Sequence, residues 1–149
     1  MIGLLQRVRH ASVEVEHKEI AQINQGLLVF IGIEQGDGES QADRLLTRLL
    51  GYRIFSDADD KMNLSVRDIT GGVLLVPQFT LAANTNKGLR PSFSSAAPPE
   101  QSEVLFDYFC TQAKQAYTHI ETGQFGADMQ VSLTNDGPVT FNLHIPPTV

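Results

Sequence analysis

The stretch Gly26-Leu27-Leu28-Val29-Phe30-Ile31-Gly32-Ile33 constrains the fold more than any other, because it is apolar at consecutive positions without a polar break. Successive side chains of a strand point to opposite faces, so a strand that is apolar throughout is covered on both sides. The run is also far short of the roughly 20 residues that a membrane helix needs. The chain is therefore organised around a central strand with material on either face. At 149 residues it reads as one domain, 1–149, able to bury about 68–70% of its unfolded surface around a single core.

Around that strand the pattern switches between strand and helix periods. Residues 2–16 read as two strands in a hairpin, with Ile2, Leu4, Gln6 and Val8 on one face and Leu5, Arg7 and Arg9 on the other; Val13 and Val15 then alternate with Ser12, Glu14 and Glu16. A polar turn follows at His17-Lys18-Glu19. Beyond Gly36-Asp37-Gly38, the residues Ala42, Leu45, Leu46, Leu49 and Leu50 keep the spacing of a helix with one buried stripe, and Ser40 with Asp43 suits its start. Residues 52–55 predict a short strand and 56–61 a charged loop. After Gly71-Gly72 comes a second buried strand, Val73-Leu74-Leu75-Val76; because proline donates no backbone hydrogen bond, Pro77 belongs at its end, an edge or a bulge.

Residues 82–97, rich in Asn, Ser, Gly and Pro, predict a long loop of a kind more often functional than not. Pro98-Pro99-Glu100 opens a second helix with Leu105, Tyr108, Phe109, Gln112, Ala113 and Ala116 on one face. The tail predicts a strand pair: Met129, Val131 and Leu133, then Val139, Phe141, Leu143 and Ile145, joined by a turn at Thr134-Asn135-Asp136-Gly137-Pro138. The order of elements implies an α/β fold, a single domain of two packed β-sheets with two helices on the outside. Such an edge-rich sheet protein readily covers exposed strands by twofold dimerisation, so a homodimer is expected.

Charge restricts the partners. A formal net charge of −6 and a pI of about 5.1 predict weak general affinity for nucleic acid. Arg7 with Arg9, and Lys87 with Arg90, can serve a few phosphates, although their spacing fits ordinary solvated charges equally well. The N-terminus has no basic region followed by an apolar core and cleavage site, so a cytoplasmic protein is expected. The single cysteine, Cys110, lies beside Phe109 on a helical pattern and reads as a structural thiol rather than a nucleophile.

Familiar catalytic sets are missing. His10, His17, His119 and His144 lack metal-ligand spacing with each other or with Cys110, and no Gly-rich phosphate loop or Gly-x-Ser-x-Gly elbow occurs. Two segments stand out instead. Pro77-Gln78-Phe79-Thr80-Leu81 leaves a core strand with an amide and a hydroxyl two residues apart: Gln78 or nearby backbone amides can donate to an oxyanion, and Thr80 can bind an amine or water. Polar residues on a solvated face explain the pattern at least as simply. Asn135-Asp136-Gly137-Pro138-Val139-Thr140 reads most simply as a turn, yet Gly137-Pro138 is a bond at which a cis peptide costs only about 0.5–1 kcal/mol. A cis bond there aims two carbonyls in nearly parallel directions.

Seven motifs in order carry a resemblance to a known family: Leu5-Gln6-Arg7-Val8 with Ala11-Ser12-Val13; Tyr52-Arg53-Ile54-Phe55; Lys61-Met62-Asn63-Leu64; Gln78-Phe79-Thr80-Leu81; Lys87-Gly88-Leu89-Arg90-Pro91-Ser92-Phe93; Gly123-Gln124-Phe125-Gly126-Ala127-Asp128-Met129; and Asn135-Asp136-Gly137-Pro138-Val139-Thr140. Together they span nearly the whole chain, which resembles the D-aminoacyl-tRNA deacylases. The resemblance implies a homodimer with active sites at the interface, in which Gly137 and Pro138 of one subunit reach into the site of the other and Arg7 helps fix them. It implies a pocket built on Gln78 and Leu81 with Phe79 and Thr80 between. Pro77 stands where the family usually has serine, a proline shared with a related animal subfamily of relaxed chiral selectivity.

The reaction implied is hydrolysis of the ester between a D-amino acid and the terminal ribose of tRNA. That ester is already activated, so positioning water and stabilising the oxyanion suffice, with the ribose 2′-hydroxyl assisting in the family. No cofactor and no metal are expected, and Thr80 ranks as a binding group rather than a nucleophile. Rigid carbonyls of Gly137 and Pro138 would occupy the space an L side chain needs, whereas glycine passes; glycyl-tRNA mischarged on tRNA-Ala is thus an expected substrate. The expected partners are the 3′ end of aminoacyl-tRNA, with Lys87 and Arg90 as tRNA contacts, and a second copy of the chain, with neither membrane nor DNA. Two rivals stay open: an editing hydrolase for another mischarged tRNA, and a catalytically silent tRNA-end or protein-binding module.

Overall fold

The structure is a computed structural model that describes residues 1–147. Eight strands and two α-helices follow the order β1 (Ile2–Val15), β2 (Lys18–Ile23), β3 (Gly26–Gly32), α1 (Glu39–Gly51), β4 (Phe55–Ser56), β5 (Met62–Leu64), β6 (Gly72–Pro77), a 3-10 turn (Phe79–Ala82), α2 (Pro99–Ala116), β7 (Ile120–Thr122) and β8 (Gln130–His144). Six strands form one mixed sheet in the order β2-β1-β3-β6-β7, with β8 beside β1; β4 and β5 make a separate two-stranded ribbon. The parallel pairs β3–β6 and β6–β7 need crossovers, which α1 and α2 supply.

The expected central strand is β3, paired with β1 on one edge and β6 on the other. Its continuous apolar run has a direct cause. Leu27, Val29 and Ile31 face a core shared with Leu45 and Leu49 of α1 and with Phe109 of α2. Leu28 faces a second core with Val8, Ala11 and Val13 of β1, Ala21 and Ile23 of β2, and Leu74 and Val76 of β6. The far half of β1, with β2, curls over the second face of β3 and β6, so the two packed layers belong largely to one folded sheet.

Four local expectations are corrected. Residues 2–15 form one strand rather than a hairpin. Register slips opposite Val8 change which face the odd positions occupy: Leu5 points into the first core, whereas Ala11 and Val13 point into the second. The hairpin partner is β2, and its tight turn is Glu16-His17, both at positive φ (51° and 65°), the geometry of a two-residue type I′ connection. The tail is likewise one strand, β8, antiparallel to β1 along nearly its whole length, and residues 134–138 lie within it. Finally, α1 starts at Gly38, whose N–H donates to Gln41 Oε1 at 2.8 Å. Asp43 instead accepts from the Tyr108 hydroxyl at 2.8 Å, joining α1 to α2. On α2 the buried face includes Phe106 and Cys110, and Ala116 is exposed.

Candidate active site

The first group of expected site residues forms where β6 runs out. Its last pairing is Ile31 with Pro77, yet the next N–H, that of Gln78, still donates to the Ile31 carbonyl at 2.8 Å. The chain then folds into the 3-10 turn against Gly32: a Cβ on Gly32 would come within 2.8 Å of Leu81 Cβ. The last residue of the central strand therefore has to be small for the turn to sit there. Leu81 faces the sheet, and Phe79 stands 60% exposed.

The side-chain amide of Gln78 donates to the Thr80 hydroxyl. With Oγ1 accepting, the Thr80 O–H remains free to donate outward, and an amide cannot take up a proton. The pair therefore offers the Thr80 O–H as a donor and contains no group that would take the hydroxyl proton.

Beside Gln78 opens a cavity of about 630 Å³ whose wall includes Phe79, Phe93, Phe125, Met129 and Val131 and holds no charged side chain. Phe79 and Phe93 meet at its mouth with ring centroids 5.2 Å apart, and Phe106 backs Phe125 at 6.2 Å. Phe125, Met129 and Val131 received no role from sequence reasoning, because they look like ordinary apolar residues beside and on a strand. The turn signal of Gly126, at φ 77°, marks a bend there but not what it faces.

The second group forms where β8 leaves its ladder. Gln6 pairs with Thr140 and Val8 with Asn135, so four residues, Asp136 to Val139, stand opposite the single residue Arg7. Arg7 closes this gap. Its Nε donates to the Asp136 carbonyl and its Nη1 to the Ile54 carbonyl, each at 2.9 Å. The Asp136 carboxylate lies 3.7 Å from Arg7 Nε and 4.0 Å from Arg9 Nε. The Gly137-Pro138 peptide is cis, and Gly137 sits at φ 131°, where a Cβ would lie 2.8 Å from Val139 Cγ2 and 3.0 Å from Arg7 Nη2. Both Gly137 and Pro138 are exposed.

One chain therefore brings Gln78 and Phe79 together at the cavity, with Thr80 tied to Gln78 and Leu81 turned onto the sheet. It groups Arg7, Gly137 and Pro138 elsewhere, outside the cavity wall. Val131, in that wall, lies on the same strand as Gly137, about 20 Å away at about 3.3 Å per residue. Lys87 and Arg90 are exposed on the loop between the 3-10 turn and α2. Cys110 is buried, and burial pushes its thiol up to about 12, as a structural thiol requires. Among the described residues, no group of three or more His, Cys, Asp or Glu is placed to hold a metal ion.

The fold is thus an α/β sheet protein in which a hydrogen-bonded amide–hydroxyl pair lies beside an uncharged cavity. The family of D-Tyr-tRNA(Tyr) deacylases matches residues 4–144, and the chain belongs to that family. A D-aminoacyl-tRNA deacylase from Janthinobacterium sp. (strain Marseille) is 60% identical over 149 residues, 100% of both chains. One from Cellvibrio japonicus (strain Ueda107) is 57% identical over 145 residues, 97% of this chain and 99% of the relative. Among solved structures, a c-Myc DNA unwinding element binding protein superposes with a TM-score of 0.94 at 38% identity, covering 98% of this chain and 99% of that one.

Proposed function

We propose that the chain hydrolyses the ester bond of D-aminoacyl-tRNA, releasing free D-amino acid and tRNA, with glycyl-tRNA mischarged on tRNA-Ala as a second substrate. The observation that carries this reading is the uncharged cavity beside the Gln78–Thr80 donor pair. A neutral end of an RNA fits it, while its phosphates stay outside. The ester is activated by its chemistry, so the outward O–H of Thr80 and the backbone amides of the 3-10 turn supply donors for the oxyanion, while the substrate's ribose 2′-hydroxyl accepts a hydrogen bond from the attacking water and relays its proton to the leaving ribose oxygen.

The working unit is a homodimer, and Gly137 and Pro138 of one copy complete the cavity of the other. Three features support this. The two residues are exposed, they are fixed from behind by Arg7, and in their own chain they lie outside the cavity wall. β8 is a 15-residue strand that pairs with β1 alone among the described residues and carries half-exposed Val131, Leu133, Val139 and Phe141. An edge of that length and character is ordinarily covered. The backbone carbonyls of Gly137 and Pro138 then wall off the space of an L side chain, a D side chain points away, and glycine has nothing to exclude.

The site of action is the cytoplasm, where aminoacyl-tRNA is used. DNA is not proposed as a partner: a binding role is named for the 38% identical structure, but the net charge of −6 here argues against a broad phosphate-binding surface. The test is deacylation of matched D-Tyr, L-Tyr and Gly substrates on tRNA, with light scattering on the same protein. Hydrolysis of D-Tyr and Gly but not L-Tyr by a dimer is expected. Preferred hydrolysis of L-Tyr would make it an editing enzyme of another kind, tight tRNA binding without hydrolysis a silent module, and full activity in a monomer would sink the shared site.

A further inference from the structure

All 17 acidic residues of the chain lie outside residues 69–99, where Lys87 and Arg90 are the sole charged side chains. In a protein of net charge −6, an RNA phosphate that approaches this tract meets no carboxylate of the same segment. Both cations are exposed at the tip of a loop that its backbone closes reciprocally. Asn84 N–H donates to the Ser92 carbonyl at 2.7 Å, and Ser92 N–H returns a bond to Asn84 at 3.0 Å. Gly88 turns the tip at φ 70°, and Leu89, between the cations, is 104% exposed.

The base of this loop is fixed. Ser95 Oγ donates to the Ala82 carbonyl at 2.6 Å, Gln35 Nε2 to the Ser94 carbonyl at 2.7 Å, and Ala97 N–H to the Ile33 carbonyl at 3.1 Å. Phe93, just past the closure, touches Phe79 at the mouth of the cavity. An arm carrying a cation, an apolar side chain and a second cation thus stands beside the entrance.

We infer that residues 84–92 grip the unpaired 3′ strand of the substrate tRNA, Lys87 and Arg90 on its backbone phosphates and Leu89 against a base face. The inference rests on the deacylase reading and names the part of the substrate held outside the cavity. A single strand offers both things this tip matches: regularly spaced phosphates, and base faces freed from stacking against which an apolar side chain packs whatever the sequence. Neutralising the phosphates with two cations also adds a salt-dependent attraction that an otherwise acidic protein lacks.

The experiment compares wild type, the double variant K87Q/R90Q and L89S on D-Tyr-tRNA and on D-tyrosyl-adenosine, which has the ester but no backbone phosphates. Salt titrations, thermal melts and light scattering run alongside. For the double variant, KM for D-Tyr-tRNA should rise about tenfold and the slope of log KM against log salt should fall by about 1.4, at about 0.7 per phosphate of a single strand. Its kcat/KM on D-tyrosyl-adenosine should stay within about twofold by the same reasoning. L89S should raise KM for the tRNA and leave the salt slope alone. Wild-type KM and slope in the double variant would overturn the inference, as would a dimer that L89S converts to monomer, since a second copy would then be what covers Leu89. If wild type hydrolyses neither substrate, the deacylase reading is what fails. The salt slope for binding uncharged tRNA then judges the arm independently.

Discussion

Arg7 Nε donates to the backbone carbonyl of Asp136 at 2.9 Å, a bond between residues 129 positions apart that holds the bulge of β8 against β1. The same guanidinium reaches the Ile54 carbonyl through Nη1, so three segments meet on one side chain that is 12% exposed. Two parallel consequences follow for the neighbouring Gly137-Pro138 pair: its position depends on Arg7, and its shape depends on the absence of a side chain at 137.

Arg7→Met removes two charge-assisted donors from partly buried carbonyls, a loss of roughly 2–3 kcal/mol. In a domain of this size that lowers Tm by about 4–12 °C. Arg7→Lys should restore little of it, because one ammonium cannot span carbonyls on two different elements. Melting curves of both variants check this; a lysine variant as stable as wild type would show that charge alone matters.

Gly137→Ala probes the pair itself. At φ 131°, with a Cβ placed 2.8 Å from Val139 Cγ2, alanine carries local strain of order 1–3 kcal/mol, which the exposed bulge relieves by shifting. The fold should lose only a few degrees of Tm, while hydrolysis of D-Tyr-tRNA falls at least about tenfold, about 1.4 kcal/mol of barrier. Assays on D-Tyr-, L-Tyr- and Gly-tRNA read the outcome. Wild-type rates and ratios on all three would reduce the segment to a turn.

Pro77→Ser introduces the serine that the family resemblance implies at this position and should change kcat/KM by less than about tenfold. The neighbouring Gln78 N–H already bonds the Ile31 carbonyl, and the Gln78–Thr80 pair does not involve residue 77. A much larger gain in a steady-state assay would mean that a hydroxyl at this position takes part.

Cys110 should be inert. Burial, opposed only weakly by Lys114, pushes its thiol up to about 12, so the thiolate that reacts with disulfides is scarce from pH 7 to 9. The native protein should react with an aromatic disulfide reagent only as fast as it unfolds, and Cys110→Ala should keep full activity. Rapid stoichiometric labelling of the folded protein would contradict this.

How much of this was legible in the sequence depended on the range of the interaction. The central strand, α1 and the end of β6 at Pro77 were readable, because periodicity and proline chemistry act locally. The two long strands were not. A register slip opposite Val8 swaps faces in the middle of β1 and mimics a strand break, and Asn135-Asp136-Gly137-Pro138 has the composition of a turn although its ends stay on one strand. Arg7 and the pair it fixes came from the family resemblance, not from pattern. Its second partner is a carbonyl at Ile54, and any residue type carries a carbonyl. The cavity wall was hidden for a related reason: Met129 and Val131 alternate as any strand residues do, and only tertiary structure brings them to Phe79.

Glu34 provides the pH test. Its Oε1 accepts from His144 Nε2 at 2.6 Å and from the Met1 amine at 3.1 Å, tying the end of β8 to the segment after β3; the Asp37 carboxylate faces the same amine at 2.8 Å. Partial burial works against the charged carboxyl, but the hydrogen bonds from the amine and His144 outweigh it and hold Glu34 below its ordinary value. A carboxyl depressed in the folded state contributes stability that is present above the unfolded pKa, about 4.3, and is lost as pH falls through the lower folded value. Glu34→Gln should therefore lower Tm at pH 7, and the gap to wild type should close as pH drops below about 4. Asp57 and Asp68 are also held below their ordinary values by their own hydrogen bonds, so the acid limb of wild type alone does not report on Glu34. The measurement is Tm against pH from 3 to 7 for both proteins. Curves that stay parallel through the acid limb would show that the charge on Glu34 adds nothing to the folded state.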